Sequence, residues 1–256
     1  MSPTDWQAYD HYADAAIAAV GTLVAVVAVH WFMARSRWSD WVRSLEGVGA
    51  PFINVVGILF GLTLAFLAND TWTAHDRAIN AVLREADSIR TLAILSRSLD
   101  QPVRDDLKTA ITDYAQATVA EWPLLARGET DPGVRRNGDR LLSIVAARSL
   151  GEAAGATVQQ AMLEEAIGIR ASRDLRIGLS QTHVNPLKWL GMAFLGFLKL
   201  LSVAVVHTDS SRAALVAIVL FALAAAPTSA IVLIHGNPFQ PPSAVSAAPI
   251  ADALSP

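Results

Sequence analysis

Four long runs of nearly uninterrupted apolar residues constrain this chain more than any other feature of its sequence. A helix rises 1.5 Å per residue, so crossing a hydrocarbon core of ~30 Å takes about 20 apolar residues. Residues 15–34 are interrupted only by Thr22 and His30, and residues 51–68 only by Asn54 and Thr63. Residues 187–206 carry Lys188, Lys199 and Ser202, and residues 213–234 are uncharged, with Pro227, Thr228 and Ser229 as their polar or helix-bending members. A single such run could be a buried core helix. Four of them read as membrane spans, with Trp31, Trp38, Trp41, Trp72 and Trp189 near their ends, where indole favours the interface. A cleaved signal peptide would need a basic leader, yet residues 1–14 hold Asp5, Asp10 and Asp14 and no Lys or Arg, so the first run is expected to be a retained span.

Charge divides the chain in the same way. Residues 69–186 hold 30 of its 43 charged side chains, and the other 138 residues hold 13. The expected organisation is a polar N-terminal tail (1–14), a first transmembrane hairpin (15–68), a helical extramembrane insert (69–186), a second transmembrane hairpin (187–235) and a Pro/Ala/Ser-rich C-terminal tail (236–256). The expected fold class is all-α, a membrane protein with four transmembrane helices and a helical bundle between spans two and three. The lipid bilayer is then the first partner. A net charge of −3 with no basic block argues against nucleic acid. The absence of cysteine excludes disulfides, thiolate metal sites and cysteine nucleophiles.

The insert reads as helix almost throughout. Ile79, Val82, Leu83, Ala86 and Ile89 follow the spacing of an amphipathic helix continuing from span two. Asp100-Gln101-Pro102 breaks it, and Pro102 suits the first position of a new helix. The next stripe is Val103, Leu107, Ile111, Tyr114, Thr118, Trp122 and Leu125, with spacings that suit close helix packing. Residues 128–133 read as a loop, followed by a short helix that Gly151 can end. A last helix, over about 153–182, shows Val158, Met162, Ala166 and Ile169, followed by Arg170, Arg173 and Arg176 before span three. The composition of the tail after span four predicts no fold.

In order as well as in motifs, the chain from about residue 50 onward resembles the bestrophin-like domain family of bacterial and plant membrane proteins. The resemblance rests on Gly57-Ile-Leu-Phe-Gly61, Trp72, Arg77, the Arg84-Glu85-Ala86 segment, Tyr114 and Glu121-Trp122-Pro123. An Arg-containing helix, two closely spaced spans and Asn237-Pro238-Phe239 leading to Val245-Ser246 and Pro249 complete it. Family members often carry a charged residue before the Pro-Phe pair and a glycine soon after it, where this chain has Asn237 and Gln240. The resemblance implies kinship with bestrophins, which are oligomeric anion channels with four spans and a helical cytosolic part. A homo-oligomer and a small anion are the partners it implies.

Lys199 is the sharpest single residue. It is thirteenth in a run of 20, where a lysine costs roughly 2.5–3.5 kcal/mol on insertion scales, and no acidic residue lies within a span to pair with it. A cation there would favour an anion; the plainer alternative is that it faces Ser202, Thr228 or water. Gly57, Gly61 and Ala65 form a small-residue face suited to helix packing. Ile58, Leu62 and Phe66 form an adjacent apolar face. In a symmetric oligomer that face could line a dewetting constriction of the kind used by bestrophin necks, and ordinary packing or lipid contact is its alternative.

Other charged groups read as structural. Glu85 with Arg77, and Arg84 with Asp87, read as helix-surface pairs, and Glu121 as a helix-end packing feature. Asp10, His11 and Asp14 lack the partners of a metal site. With no phosphate loop, zinc-protease helix or nucleophile elbow, neither an enzyme nor a cofactor is expected. The expected function is an oligomeric bestrophin-like anion channel, with a non-conducting membrane scaffold or sensor, whose insert binds a partner, as the alternative.

Orientation draws opposing signals. Arg35, Arg37 and Arg43 in the first link, against an acidic N-tail, place that link in the cytoplasm and the insert outside a cell (inner) membrane. Arg77, Arg84, Arg173, Arg176 and Lys188 flanking the insert, and the bestrophin resemblance, favour a cytosolic insert.

Overall fold

The computed structural model describes residues 10–35, 49–181, 186–207, 210–241 and 243–254, and among these it contains helices and no strand. In chain order the helices are α1 (Asp10–Arg35), α2 (Gly49–Ser96), α3 (Val103–Leu125), α4 (Pro132–Val145), α5 (Arg148–Ala154), α6 (Ala156–Ser180), α7 (Pro186–Val206), α8 (Ser211–Ile234) and α9 (Ala248–Asp252). Three of them contain segments long and apolar enough to cross a membrane: Phe52–Ser96 by virtue of its first part, Leu187–Val206 and Arg212–Leu233. The described apolar stretch of α1, Ala16–Phe32, is shorter. The charged link with Trp38 and Trp41, and the junction at 182–185 between the insert's last helix and the third span, lie outside the described residues.

The chain divides into two compact units, 1–72 with 183–236, and 73–182 with 237–256. In the first unit α1 packs on α8 and α7, and α7 on α8. Val26, Val29, Leu200, Val203, Ala204 and Ile218 form one buried cluster there, and Phe60, Leu64, Leu67, Met192 and Val232 form another. Positions 60, 64, 67 and 71 follow helical spacing, so one half of the apolar part of α2 faces inward. Its other half leaves large apolar side chains uncovered, as a lipid-facing or partner-facing surface does. Lys188 Nζ donates to Asp70 Oδ2 at 2.6 Å between two exposed side chains.

The second unit is a helical bundle. The stripe read from the sequence of α3 is its core: Leu107, Ile111, Tyr114, Thr118 and Leu125 are buried. Pro102 is the N-cap of α3, one position before its expected place, and Asp131 caps α4 by accepting from Gly133 N. Gly151 lies inside α5 and does not end a helix. The helix ends at Gly155, whose φ of 78° a side chain with Cβ rarely adopts.

Two expectations for this unit are corrected. Ile79 and Leu83 are exposed, and the buried stripe of α2 runs Ala78, Val82, Glu85, Ile89 and Leu92. The spacing was right, but a fully buried pair can put a glutamate where the pattern seeks an apolar residue. The C-terminal tail is also part of the fold: Phe239, Val245, Ile250 and Ala253 join the bundle core, and α9 packs on α3. These are isolated anchors on an existing core, and such anchors need no periodicity of their own.

Candidate functional site

In the first unit, Lys199 of α7 reaches the backbone of α2. Its Nζ donates to the carbonyl of Ile53 at 2.5 Å. A Cβ placed on Gly57 would lie 2.7 Å from that Nζ, so the glycine keeps open the space that the ammonium occupies. Ser202 and Thr228, the polar groups expected near the lysine, instead bond back to Leu198 O and Ala224 O of their own helices. A hydroxyl one turn from its own i−4 carbonyl has an acceptor at hand, whereas a long lysine in an apolar span must find one on a neighbour.

The other expected residues of α2 face elsewhere. Ile58 is 62% exposed, Leu62 51% and Phe66 68%. Gly61 and Ala65 are exposed, and a Cβ on Gly61 would meet nothing within 4 Å. The small-residue face expected at Gly57, Gly61 and Ala65 is thus used within this chain at Gly57 alone, and there for a side chain. At 100° per residue, Ile58, Leu62 and Phe66 project from the side of α2 away from Ile53 and Gly57. The structure therefore does not bring Lys199 and the apolar trio together. Asp10, His11 and Asp14 stand on α1, with side chains outside the described residues.

In the second unit, four charged side chains form a buried network. Arg176 of α6 donates to Glu85 of α2 through Nε at 3.0 Å and Nη2 at 3.2 Å, and both side chains are fully excluded from solvent. Tyr114 Oη donates to the same carboxylate at 2.6 Å. Arg173 Nη2 and the backbone N of Asp131 each donate to Glu121 Oε1 at 2.8 Å. Arg176 Nη1 approaches Glu121 Oε2 at 3.6 Å, an ion pair too long for a hydrogen bond. Two carboxylates and two guanidinium groups leave the cluster electrically balanced, which is what permits its burial.

Burial, followed by the Glu85 carboxylate, raises the Tyr114 phenol well above its ordinary pKa, so it stays protonated and donating. For Arg176 burial opposes the charge, but Glu85 outweighs it and the guanidinium is held more firmly protonated than usual. The expected pairing of Glu85 with Arg77 is overturned: Arg77 is exposed, and Glu85 turns inward to an arginine 91 residues away. Arg84 is exposed, and Asp87 lies 3.9 Å from Arg90 in place of the expected Arg84. Arg173 and Arg176, read from the sequence only as flanking charge, are core residues. The signal for them was present, since positions 162, 166, 169, 173 and 176 continue one helical stripe.

Trp122, Phe239 and Val245 among the remaining motif residues gather beside this network. The Trp122 ring lies 4.9 Å from the Arg176 guanidinium carbon, stacks edge-on with Phe239 at 5.5 Å, and donates its Nε1 to Val245 O at 2.8 Å. Pro123 is exposed inside α3 and Pro238 is buried, while Trp72 is exposed in the first unit. Asn237 Nδ2 lies within hydrogen-bond distance of the carbonyls of Leu125, Ala126 and Ser180, which end α3 and α6. Its Oδ1 accepts from Phe239 N at 2.9 Å. Helix ends leave carbonyls without an intrahelical partner, and this one amide reaches the ends of two helices. There Gly128 N and Gln240 Nε2 also donate, to Leu125 O and Ala126 O respectively.

Comparison with known proteins agrees with this architecture. The family described as Bestrophin-like domain matches residues 20–250. The chain is similar in fold to a membrane protein solved by crystallography, with a TM-score of 0.64, 12% identity and 100% of both chains covered. It is also similar to a crystallised bacterial bestrophin homolog from Klebsiella pneumoniae, with a TM-score of 0.59, 12% identity, and 99% of this chain and 96% of that one covered. No curated protein matches the chain.

Proposed function

The chain belongs to the bestrophin-like domain family, and on that premise we propose that it is a four-span homo-oligomer that conducts a small anion. The observation that carries this reading is the division of labour around α2: Ile58, Leu62 and Phe66 stand uncovered on one side, while Lys199 is pinned to the other. Copies arranged about an axis with the uncovered faces inward would form an apolar constriction that gates by wetting and dewetting. The Lys199 ammonium, behind a helix about 10 Å across, would favour an anion over a cation in that constriction without touching it. The small residues Gly61 and Ala65 suit close contact between neighbouring copies. The protein is placed in the cell (inner) membrane, with the insert on the extracytoplasmic side by the charge of the first link.

Planar-bilayer recording of purified protein tests the proposal. An anion current is expected, with Phe66→Ala altering its amplitude and Lys199→Ala weakening its preference for anions. No anion current, or variants that match wild type, would remove the channel and favour the non-conducting scaffold or sensor.

A further inference from the structure

The second unit also contains a cavity of about 680 Å³ that none of the four buried charged residues lines. Among the described residues, Arg90, Arg97, Arg104 and Lys108 border it, against one carboxylate, Asp105. The chain folds them together by its turn: Arg97 directly follows α2, and Arg104 and Lys108 lie in the first turns of α3. Arg90 has Asp87 at 3.9 Å, but Arg97, Arg104 and Lys108 have no ion pair among the described residues. With Arg90 set against Asp87, three cations face one carboxylate, an excess of two positive charges. Holding like charges at one opening costs electrostatic free energy, and a bound dianion would offset it.

We propose that this cavity binds a phosphomonoester, either as a free metabolite or as the headgroup of a lipid. Such a group carries about −1.5 to −2 charge near neutral pH and several strong acceptor oxygens, which suits a ring of arginines. The cavity is larger than phosphate alone, and Ile94 and Leu254 offer apolar wall to a short organic remainder. Among the described residues no aromatic side chain lines it, and they offer a nucleobase no stacking surface.

The test is calorimetric titration of the detergent-purified full chain with glycerol 3-phosphate and, separately, with dioctanoyl phosphatidic acid, using dioctanoyl phosphatidylcholine as control. Saturation by glycerol 3-phosphate marks a soluble ligand. Saturation by phosphatidic acid alone marks a lipid headgroup. Either result supports the proposal when Arg97→Gln with Arg104→Gln weakens binding at least 10-fold at an unchanged melting temperature. Lys108→Gln, a milder change, should weaken it in the same direction. The proposal is overturned if neither ligand saturates at millimolar concentration, if the variants bind as wild type does, or if sodium chloride at matched ionic strength reproduces the heat.

Discussion

Arg176 and Glu85 form a two-point ion pair, Nε to Oε2 at 3.0 Å and Nη2 to Oε1 at 3.2 Å, in a place that admits no solvent. Removing one partner leaves the other charged and buried, a loss of about 3–5 kcal/mol. Glu85→Ala should therefore destabilise the insert by that order, read as a fall in the unfolding free energy monitored by tryptophan fluorescence. Glu85→Leu combined with Arg176→Met should recover a large part of it, because two apolar residues replace two charges together. Glu121 tempers the recovery, since Arg176 also faces its carboxylate at 3.6 Å. A double variant no more stable than Glu85→Ala would show that the pair is not what holds these helices.

Tyr114 supplies a pH dependence of known sign. Its pKa is raised in the fold by burial and by Glu85, so the folded state favours the protonated phenol. That contribution is complete below the ordinary tyrosine value near 10 and is lost as pH rises from there through the raised folded value. Melting temperature should fall more steeply between about pH 9.5 and 11 in wild type than in Tyr114→Phe. At pH 7 the variant should be less stable by about 1–2 kcal/mol, having left Glu85 one donor short. Parallel curves for the two proteins would sink the assignment.

How far the sequence reveals this fold depends on whether the signal is local. The core of α3 follows from the spacing of Leu107, Ile111, Tyr114 and Thr118, because each residue's neighbour on the helix lies one turn away. The run of α2 past the apolar segment is legible for the same reason. Glu85 is not, since its partner lies 91 residues distant and a charge on a helix is ordinarily solvated. Only its position, three after Val82 and four before Ile89, marks it as inward. Lys199 is conspicuous in the sequence, but its acceptor is a backbone carbonyl, a group every residue carries. Gly57 offered a partial clue, as a residue without Cβ where something must pass close to the helix.

Gly57→Ala tests that relationship. The added Cβ would sit 2.7 Å from Lys199 Nζ, and the flexible end of the lysine can move more readily than either helix. The expected cost is the charge-assisted hydrogen bond to Ile53, about 1.5–3 kcal/mol, with the fold retained. In bilayer recordings Gly57→Ala should shift ion preference in the same direction as Lys199→Ala. A variant that unfolds outright, or one that leaves both stability and ion preference unchanged, would contradict the placement of the ammonium.

Orientation can be read directly, since the chain has no cysteine of its own. Ser98 is exposed just past the end of α2, where its hydroxyl donates to Leu95 O. Ser98→Cys should react with a membrane-impermeant maleimide in intact cells if the insert lies outside, as the charge of the first link implies. Reaction only after lysis would place the insert in the cytoplasm and reverse that reading.

Asn237 gives the tail its sharpest test. Its amide serves carbonyls at the ends of both α3 and α6, and its side-chain oxygen accepts from Phe239 N. Leu125 O also accepts from Gly128 N and Ala126 O from Gln240 Nε2, so Ser180 O and Phe239 N rely on it most. Asn237→Ala would leave Ser180 O and Phe239 N to water or unpaired, at a cost of about 1–3 kcal/mol. The effect should not stop there. Phe239 packs edge-on against Trp122, and Trp122 both donates to Val245 O and lies over Arg176. Loosening the turn at 237 should therefore wet the indole, seen as a red shift and greater quenching of tryptophan emission in a variant that keeps only Trp122. Asn237→Asp separates hydrogen bonding from size: it keeps the acceptor for Phe239 N but sets a negative charge against three carbonyl oxygens, so it should be the more damaging change. If Asp were tolerated better than Ala, the donor role of the amide toward the helix ends would be wrong.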